Sequence, residues 1–348
     1  MFRKILSRAF SVFIPAALAL SLAACGGAGG GDSGAGGGDS GAGGGDSGAG
    51  GGDSGAGGGG DTSYYSYRYE ALPHATTNAD FLSQLNTQGA RGYRFLAALS
   101  LTPGQSTAHG VYVKDGNSSY DYKMLEPQNT ASGLLTQMNA EGANGYRYLG
   151  DYIVEFEGGD PLKPKTRTLY VRDASQTARY NYELVTTGRA ATDNEFLTQV
   201  NAQGAKGYWL VGGLTLGNLY MKDQSQPGAR YTYRLQPYAT TRDLFLAQAN
   251  VQGREGYRFK GGLVLASGVD LKTIYFKDTS QNASFSYSSE QLSSGPAFVE
   301  RANNLGSSGI AYLTSNFFSS DNLSLEIYFK PSNCTGFMCT VLHPIIQN

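Results

Sequence analysis

One short phrase recurs five times and sets what the chain can become. It reads Asn86-x-x-Gly89-x-x-Gly92-Tyr93, then Asn139-x-x-Gly142-x-x-Gly145-Tyr146, Asn201-x-x-Gly204-x-x-Gly207-Tyr208, Asn250-x-x-Gly253-x-x-Gly256-Tyr257 and Asn303-x-x-Gly306-x-x-Gly309-Ile310. Steps of 53, 62, 49 and 53 residues separate the first glycines. A fixed period of this size marks a repeat architecture, in which one supersecondary unit is copied and each copy buries its apolar face against others.

Each copy reads the same way. It opens on an alternating aromatic pair, Tyr67/Tyr69, Tyr120/Tyr122, Tyr180/Tyr182, Tyr231/Tyr233 or Phe285/Tyr287, which has the two-residue period of a strand with one buried face. A capping signal follows at Thr77-x-x-Asp80, Thr192-x-x-Glu195 and Thr240-x-x-Asp243, where a hydroxyl accepts from free backbone N–H groups and an acid favours the helix N-terminus. Behind it lie apolar stripes such as Phe81, Leu82 and Leu85, or Phe196, Leu197 and Val200, the pattern of a short helix covering a sheet. The Asn-x-x-Gly-x-x-Gly phrase then closes that helix, the first glycine taking the left-handed conformation and the second letting the chain reverse. A phosphate cradle would instead have its glycines open a helix. Two strands finish the unit, the last around Tyr112, Tyr170, Tyr220, Tyr275 or Tyr328.

The expected fold is therefore α+β: five tandem strand-helix-strand-strand units, each an antiparallel three-stranded sheet of order 1-3-2 with one helix, packed into a compact array. The expected boundaries are 62–116, 117–175, 176–226, 227–280 and 281–331, with a C-terminal tail at 332–348. If the apolar neighbours of the last-strand tyrosines face the helix, those tyrosines face away from it. The fifth copy departs most and reads as a terminal cap on the stack. The Tyr-x-Tyr opening, the Asn-x-x-Gly-x-x-Gly-Tyr phrase and the closing Tyr-Lys strand resemble a family of small bacterial domains of unknown function. That resemblance implies a fold and carries no catalytic residue.

The N-terminus reads as an address. Arg3, Lys4 and Arg8 precede an apolar run and then Leu22-Ala23-Ala24-Cys25, the layout of a secretory leader over residues 1–24. Leu-Ala-Ala-Cys resembles the lipobox of bacterial lipoproteins, which implies acylation (palmitate among the chains) at Cys25. Several acyl chains give stable membrane anchoring. By the sorting pattern of such lipoproteins, Gly26 favours the outer membrane, with the body facing the periplasm or displayed on the surface. Residues 25–61 then repeat Gly, Ala, Ser and Asp, a composition without apolar surface to bury, and read as a disordered tether about 30–35 Å in mean span.

With 27 basic and 28 acidic side chains, the chain lacks the basic footprint of a nucleic-acid binder. Cys334 and Cys339 are an even pair in an oxidising compartment and read as a local disulfide. Three histidines, His74, His109 and His343, are too scattered for a metal site, and no motif points to a cofactor. No nucleophile elbow or paired catalytic carboxylates stand out, so the chain reads as non-enzymatic. Its candidate contact loops link the second and third strands: residues 100–110, 155–168, 217–218, 266–272 and 319–324. The longest carries Glu155, Glu157, Asp160, Lys163 and Lys165, candidate binding residues that equally suit a solvated loop. Trp209, the one tryptophan, suits an exposed anchor or, better, packing between units. The expected function is an outer-membrane-anchored lipoprotein whose repeat body binds a protein, glycan or envelope component. A purely structural envelope protein and an enzyme of unknown class are the alternatives.

Overall fold

A computed structural model describes residues 65–101, 108–186, 192–214, 216–264 and 271–343, so the leader, Cys25 and the Gly-rich segment lie outside the described residues. Unit one contains β1 (Arg68–Pro73), α1 (Asn78–Ala90), β2 (Arg94–Ser100) and β3 (Ala108–Lys114). Unit two contains β4 (Tyr120–Leu125), α2 (Ala131–Ala143), β5 (Arg147–Phe156) and β6 (Pro164–Asp173). Unit three contains β7 (Tyr180–Val185), α3 (Asp193–Ala205), β8 (Trp209–Leu214) and β9 (Gly217–Asp223). Unit four contains β10 (Tyr231–Pro237), α4 (Arg242–Arg254), β11 (Arg258–Val264) and β12 (Leu271–Asp278). Unit five contains β13 (Ser284–Gln291), α5 (Gly295–Ser307), β14 (Ala311–Phe318) and β15 (Leu323–Ser332). Every sheet is antiparallel with its third strand in the middle, the expected 1-3-2 order.

The helices start as their hydroxyls dictate. Thr77 accepts from Asp80 N at 3.1 Å, and Thr192 forms a full capping box with Glu195. In unit four the cap is Thr241, accepting from Leu244 N at 3.2 Å, rather than the expected Thr240. At the other end the glycine roles differ from expectation. Gly89, Gly142, Gly204, Gly253 and Gly306 are still inside their helices. The second glycine takes the left-handed turn, with φ +83° at Gly92 and +76° to +87° in the other copies. Tyr93 N donates to Gln88 O and Gly92 N to Gly89 O, both at 2.9 Å. This paired closure satisfies the last helical carbonyls.

The first glycine serves packing between units. A Cβ on Gly89 would sit 2.1 Å from Tyr120 O in unit two, and Gly142, Gly204 and Gly253 press equally on Tyr180 O, Tyr231 O and Phe285 O. One helical turn earlier, the repeated asparagine grips the same strand. Asn86 Oδ1 accepts from Tyr122 N at 2.8 Å, and its amide donates to Tyr122 O at 3.5 Å. Asn139, Asn201 and Asn250 accept alike from Tyr182, Tyr233 and Tyr287 N. A side-chain amide presenting both an acceptor and a donor replaces the neighbour strand that an exposed edge lacks. The edge tyrosine answers in kind: Tyr122 Oη accepts from Phe95 N at 2.7 Å, back in unit one.

This chain of contacts does not stop at unit five. Asn303 accepts from Tyr69 N at 2.7 Å and donates to Tyr69 O at 3.1 Å, Gly306 lies against Tyr67 O, and Tyr312 N donates to Tyr69 Oη at 2.8 Å. The array is a closed ring, with α5 on β1, and the fifth unit is not a cap.

The last-strand tyrosines also face opposite to expectation. Tyr112, Tyr170, Tyr220 and Tyr275 donate their hydroxyls to Gln84, Gln137, Gln199 and Gln248 at the midpoints of their own helices, at 2.9–3.0 Å. The flanking Val111 and Val113 therefore lie on the other face, and both are fully buried. The sheet has two apolar faces because the ring gives it two layers to cover. In unit five Arg301 takes the glutamine position, and the Tyr328 hydroxyl bonds Glu326 at 2.6 Å instead.

Gly306→Ala is expected to destabilise the protein by about 1–3 kcal/mol through forced displacement of the Tyr67 carbonyl. Gly116→Ala, whose Cβ would meet nothing within 4 Å, is expected to stay within about 0.5 kcal/mol of the parent. Urea unfolding of the two variants checks the ring closure, which fails if they unfold alike.

Candidate functional site

The second strands open on Arg94, Arg147, Trp209, Arg258 and Ala311, on the side of the sheets away from the helices. The middle of the ring at this end is filled by the chain's own C-terminal segment. Phe337 packs 4.7 Å from the Trp209 ring and stacks near Phe276, with Tyr231 beside it. Arg258 donates through Nη1 to the carbonyls of Phe337, Met338 and Thr340. Arg94 bonds Val341 O and pairs with Asp115 at 2.7 Å. Tyr65 and Tyr67 donate to the carbonyls of Cys334 and Cys339. The segment thus touches units one, three and four, and Thr335 N donates to Gln281 Oε1 at the start of unit five at 2.8 Å. The Cys334–Cys339 bond is formed and both cysteines are buried, so the expected local disulfide staples a plug.

Burial works against the Arg94 charge, and Asp115 together with the nearby Tyr120 and Tyr122 more than offsets it, holding its pKa above the usual range. Arg258 has burial uppermost and drops to about 10. Lys260, two residues on, is buried 4.3 Å over the Trp209 ring and donates to Val211 O at 3.2 Å. Burial, and then the nearby Arg258, push its pKa well down. The matching residues are Leu96, Leu149, Val211 and Leu313. Trp209 is 2% exposed, so it is no surface anchor; packing, the better of its two readings, holds.

The opposite end carries the helix N-termini and the hairpins between second and third strands. Glu155 is not simply presented to solvent. It accepts from Asn78 N at the start of α1 at 3.2 Å and pairs with Lys165 at 2.5 Å. A carboxylate there satisfies a free helix N–H and complements the helix dipole, while Tyr152 packs on Phe81 and Phe95. Unit five repeats the device: Asp321 accepts from Arg242 N at 2.7 Å, and Phe318 packs on Phe245. Asp160 folds the hairpin tip by accepting from Leu162 N at 2.9 Å. Glu157 and Lys163 are exposed. The candidate residues of this loop therefore divide into seam residues, Glu155 and Lys165, and tip residues, Glu157, Asp160 and Lys163.

What sequence reasoning missed at this end is apolar. Of the exposed large hydrophobics among the described residues, Phe156, Leu162, Val264 and Leu271 belong to hairpins, and Leu244 and Leu292 sit at helix starts; only Val251 lies elsewhere. Leu162 is 87% exposed. Charges are sorted as well. When each unit is halved across its strands and helix, the plug end carries sixteen Lys and Arg against nine Asp and Glu, and the hairpin end five against eleven, leaving out Lys260, Glu300, Arg301 and Glu326. All five helices run from the hairpin end to the plug end, so the side chains complement the helix dipoles at both ends.

No three potential metal ligands gather among the described residues. His74 lies against Phe81 on the helix side, whereas His109 is in register with Pro73 on the other face. No helix among the described residues is long and apolar enough to cross a membrane. No family model, no curated protein and no solved structure matches this chain.

Two outcomes follow for the plug end. Replacing Cys334 and Cys339 together by Ser is expected to cost about 2 kcal/mol of stability in denaturant unfolding, from freeing a small loop. Lys260→Leu is expected to raise stability at pH 7 by about 1 kcal/mol or more, because a buried amine is exchanged for the side chain of the sister units. Since folding lowers the Lys260 pKa, the unfolded chain binds the extra proton below the ordinary lysine value of about 10.4. The parent therefore gains stability as pH rises, and the advantage of the variant shrinks toward pH 10. Thermal unfolding at pH 7 and pH 10 reads both signs.

Proposed function

We propose that this chain is a non-enzymatic binding protein of the bacterial envelope, held at the outer membrane by acylated Cys25, whose ring captures a protein partner on its hairpin end. The observation that carries the reading is the gathering of exposed apolar side chains there. Isolated exposed hydrophobics are ordinary, whereas a concentration on one face marks an interaction surface. The surplus of acids around them suits a partner with a basic, partly apolar surface, since complementary charge steers association. A glycan partner has less support: sugar stacking needs open aromatic faces, and the ring's tryptophan and most of its tyrosines are buried. The likeness of each unit to small bacterial domains of unknown function belongs to this reading and adds no chemistry to it.

A photo-cross-linking amino acid at Leu162 of the full chain, expressed in its own envelope, is expected to give a discrete protein adduct, and the same group at Val251 none. Equal adducts at both positions, or none at Leu162, would sink the proposal.

A further inference from the structure

The plug end shows three features together: excess basic charge, the point where the described chain begins, and a closed middle. Arg68, Arg179, Lys206, Arg230, Arg254 and Lys330 are exposed there and have no carboxylate partner among the described residues. Their sources differ: Arg254 ends a helix and Lys206 follows one, Arg68 opens β1 while Arg179 and Arg230 precede first strands, and Lys330 lies near the end of β15. The topology nevertheless brings all of them to one end of the ring. Tyr65, the first described residue, bonds the plug at the same end, so whatever tethers the N-terminus draws this end toward its anchorage. The plug fills the middle with Phe337, Met338 and the disulfide, and the exposed cations lie around it.

We propose that the plug end of the ring rests on a bilayer surface through its exposed arginines and lysines, which bind the phosphates of anionic phospholipids. The proposal rests on the N-terminal anchoring read above and is independent of the hairpin-end partner. Lipid anchoring raises the local concentration of ring at the membrane, and an attached basic surface then adds a second membrane signal. Attraction between Lys or Arg and an anionic leaflet acts within about 8 Å at physiological salt, so only the end facing the bilayer feels it. Were the acidic hairpin end turned toward the bilayer it would be repelled by the same surface, so the two ends together favour one orientation. The candidate partner face then points away from the membrane.

Lysine acetylation read by mass spectrometry tests this on the full chain bound to vesicles. One set is phosphatidylcholine alone, and the other contains about a third phosphatidylglycerol. Lys206 and Lys330 are expected to be modified at least threefold more slowly on the anionic vesicles, with the difference removed by 0.5 M salt. Lys163 at the hairpin tip is expected to react equally on both. Arg179→Glu, Arg230→Glu and Arg254→Glu together are expected to abolish the protection of Lys206 while leaving the unfolding midpoint within two degrees of the parent. Equal modification on both vesicle types overturns the proposal. So does protection of Lys206 without vesicles at high protein concentration, which would mean that the basic end meets the acidic end of a second copy. Because the readout lies at the plug end, it is separate from the presence or absence of a Leu162 adduct.

Discussion

Everything in the ring depends on how one helix lies on the next unit's first strand. That strand is the edge of its own sheet, with peptide groups that need partners away from water. Asparagine supplies them from the helix side, donor and acceptor in one planar group, and glycine one turn on lets the helix approach until its backbone touches the strand carbonyl. The edge tyrosine completes the seam by accepting the N–H of a residue in the preceding unit. These contacts recur at five seams, so the units are joined by directional polar bonds in addition to apolar burial. A unit of about fifty residues has too little core to stand well alone, and the seams make it part of a larger one.

Closure changes what each face of the sheet means. In an open stack the sheet face away from the helix would need another layer from outside the unit. Here that layer comes from the other units around the middle of the ring, and from the C-terminal segment that fills one end. The departures of unit five follow from its place. Ala311 stands where other units carry Arg or Trp, beside a middle occupied by the plug, and the Arg301–Glu326 pair rebuilds within the unit what a glutamine does in the others.

Much of this was legible. The period, the element order, the 1-3-2 sheets and the disulfide could be read because each depends on local signals: alternation, capping hydroxyls, terminal glycines and cysteine spacing. What was not legible depends on contacts between units. Nothing near Gly89 in sequence says that a carbonyl thirty residues away will press on it, so this contact point looked like the glycine that ends the helix. The Tyr112 column looked outward because the apolar flanks were assumed to meet the helix; only closure supplies an inner layer for those flanks. Glu155 looked like a loop charge, and its partner is the start of a helix in the previous unit. The exposed leucines at the hairpin end were individually unremarkable, and only the topology shows that they gather there.

A chain of repeats with two free ends can grow or shrink by one copy and still fold. This one cannot, because Asn303 and Gly306 must find Tyr69 and Tyr67, and the arc turned at each seam has to add to a full circle. Loss of one copy or gain of another would leave a strand edge and a helix stripe open to water on both sides of a gap. The number five is thus a geometric property of the seam, held by the same asparagine and glycine that make the phrase conspicuous. Between copies, length differs in the hairpins and in the links between strands and helices, where it can change without altering the circumference.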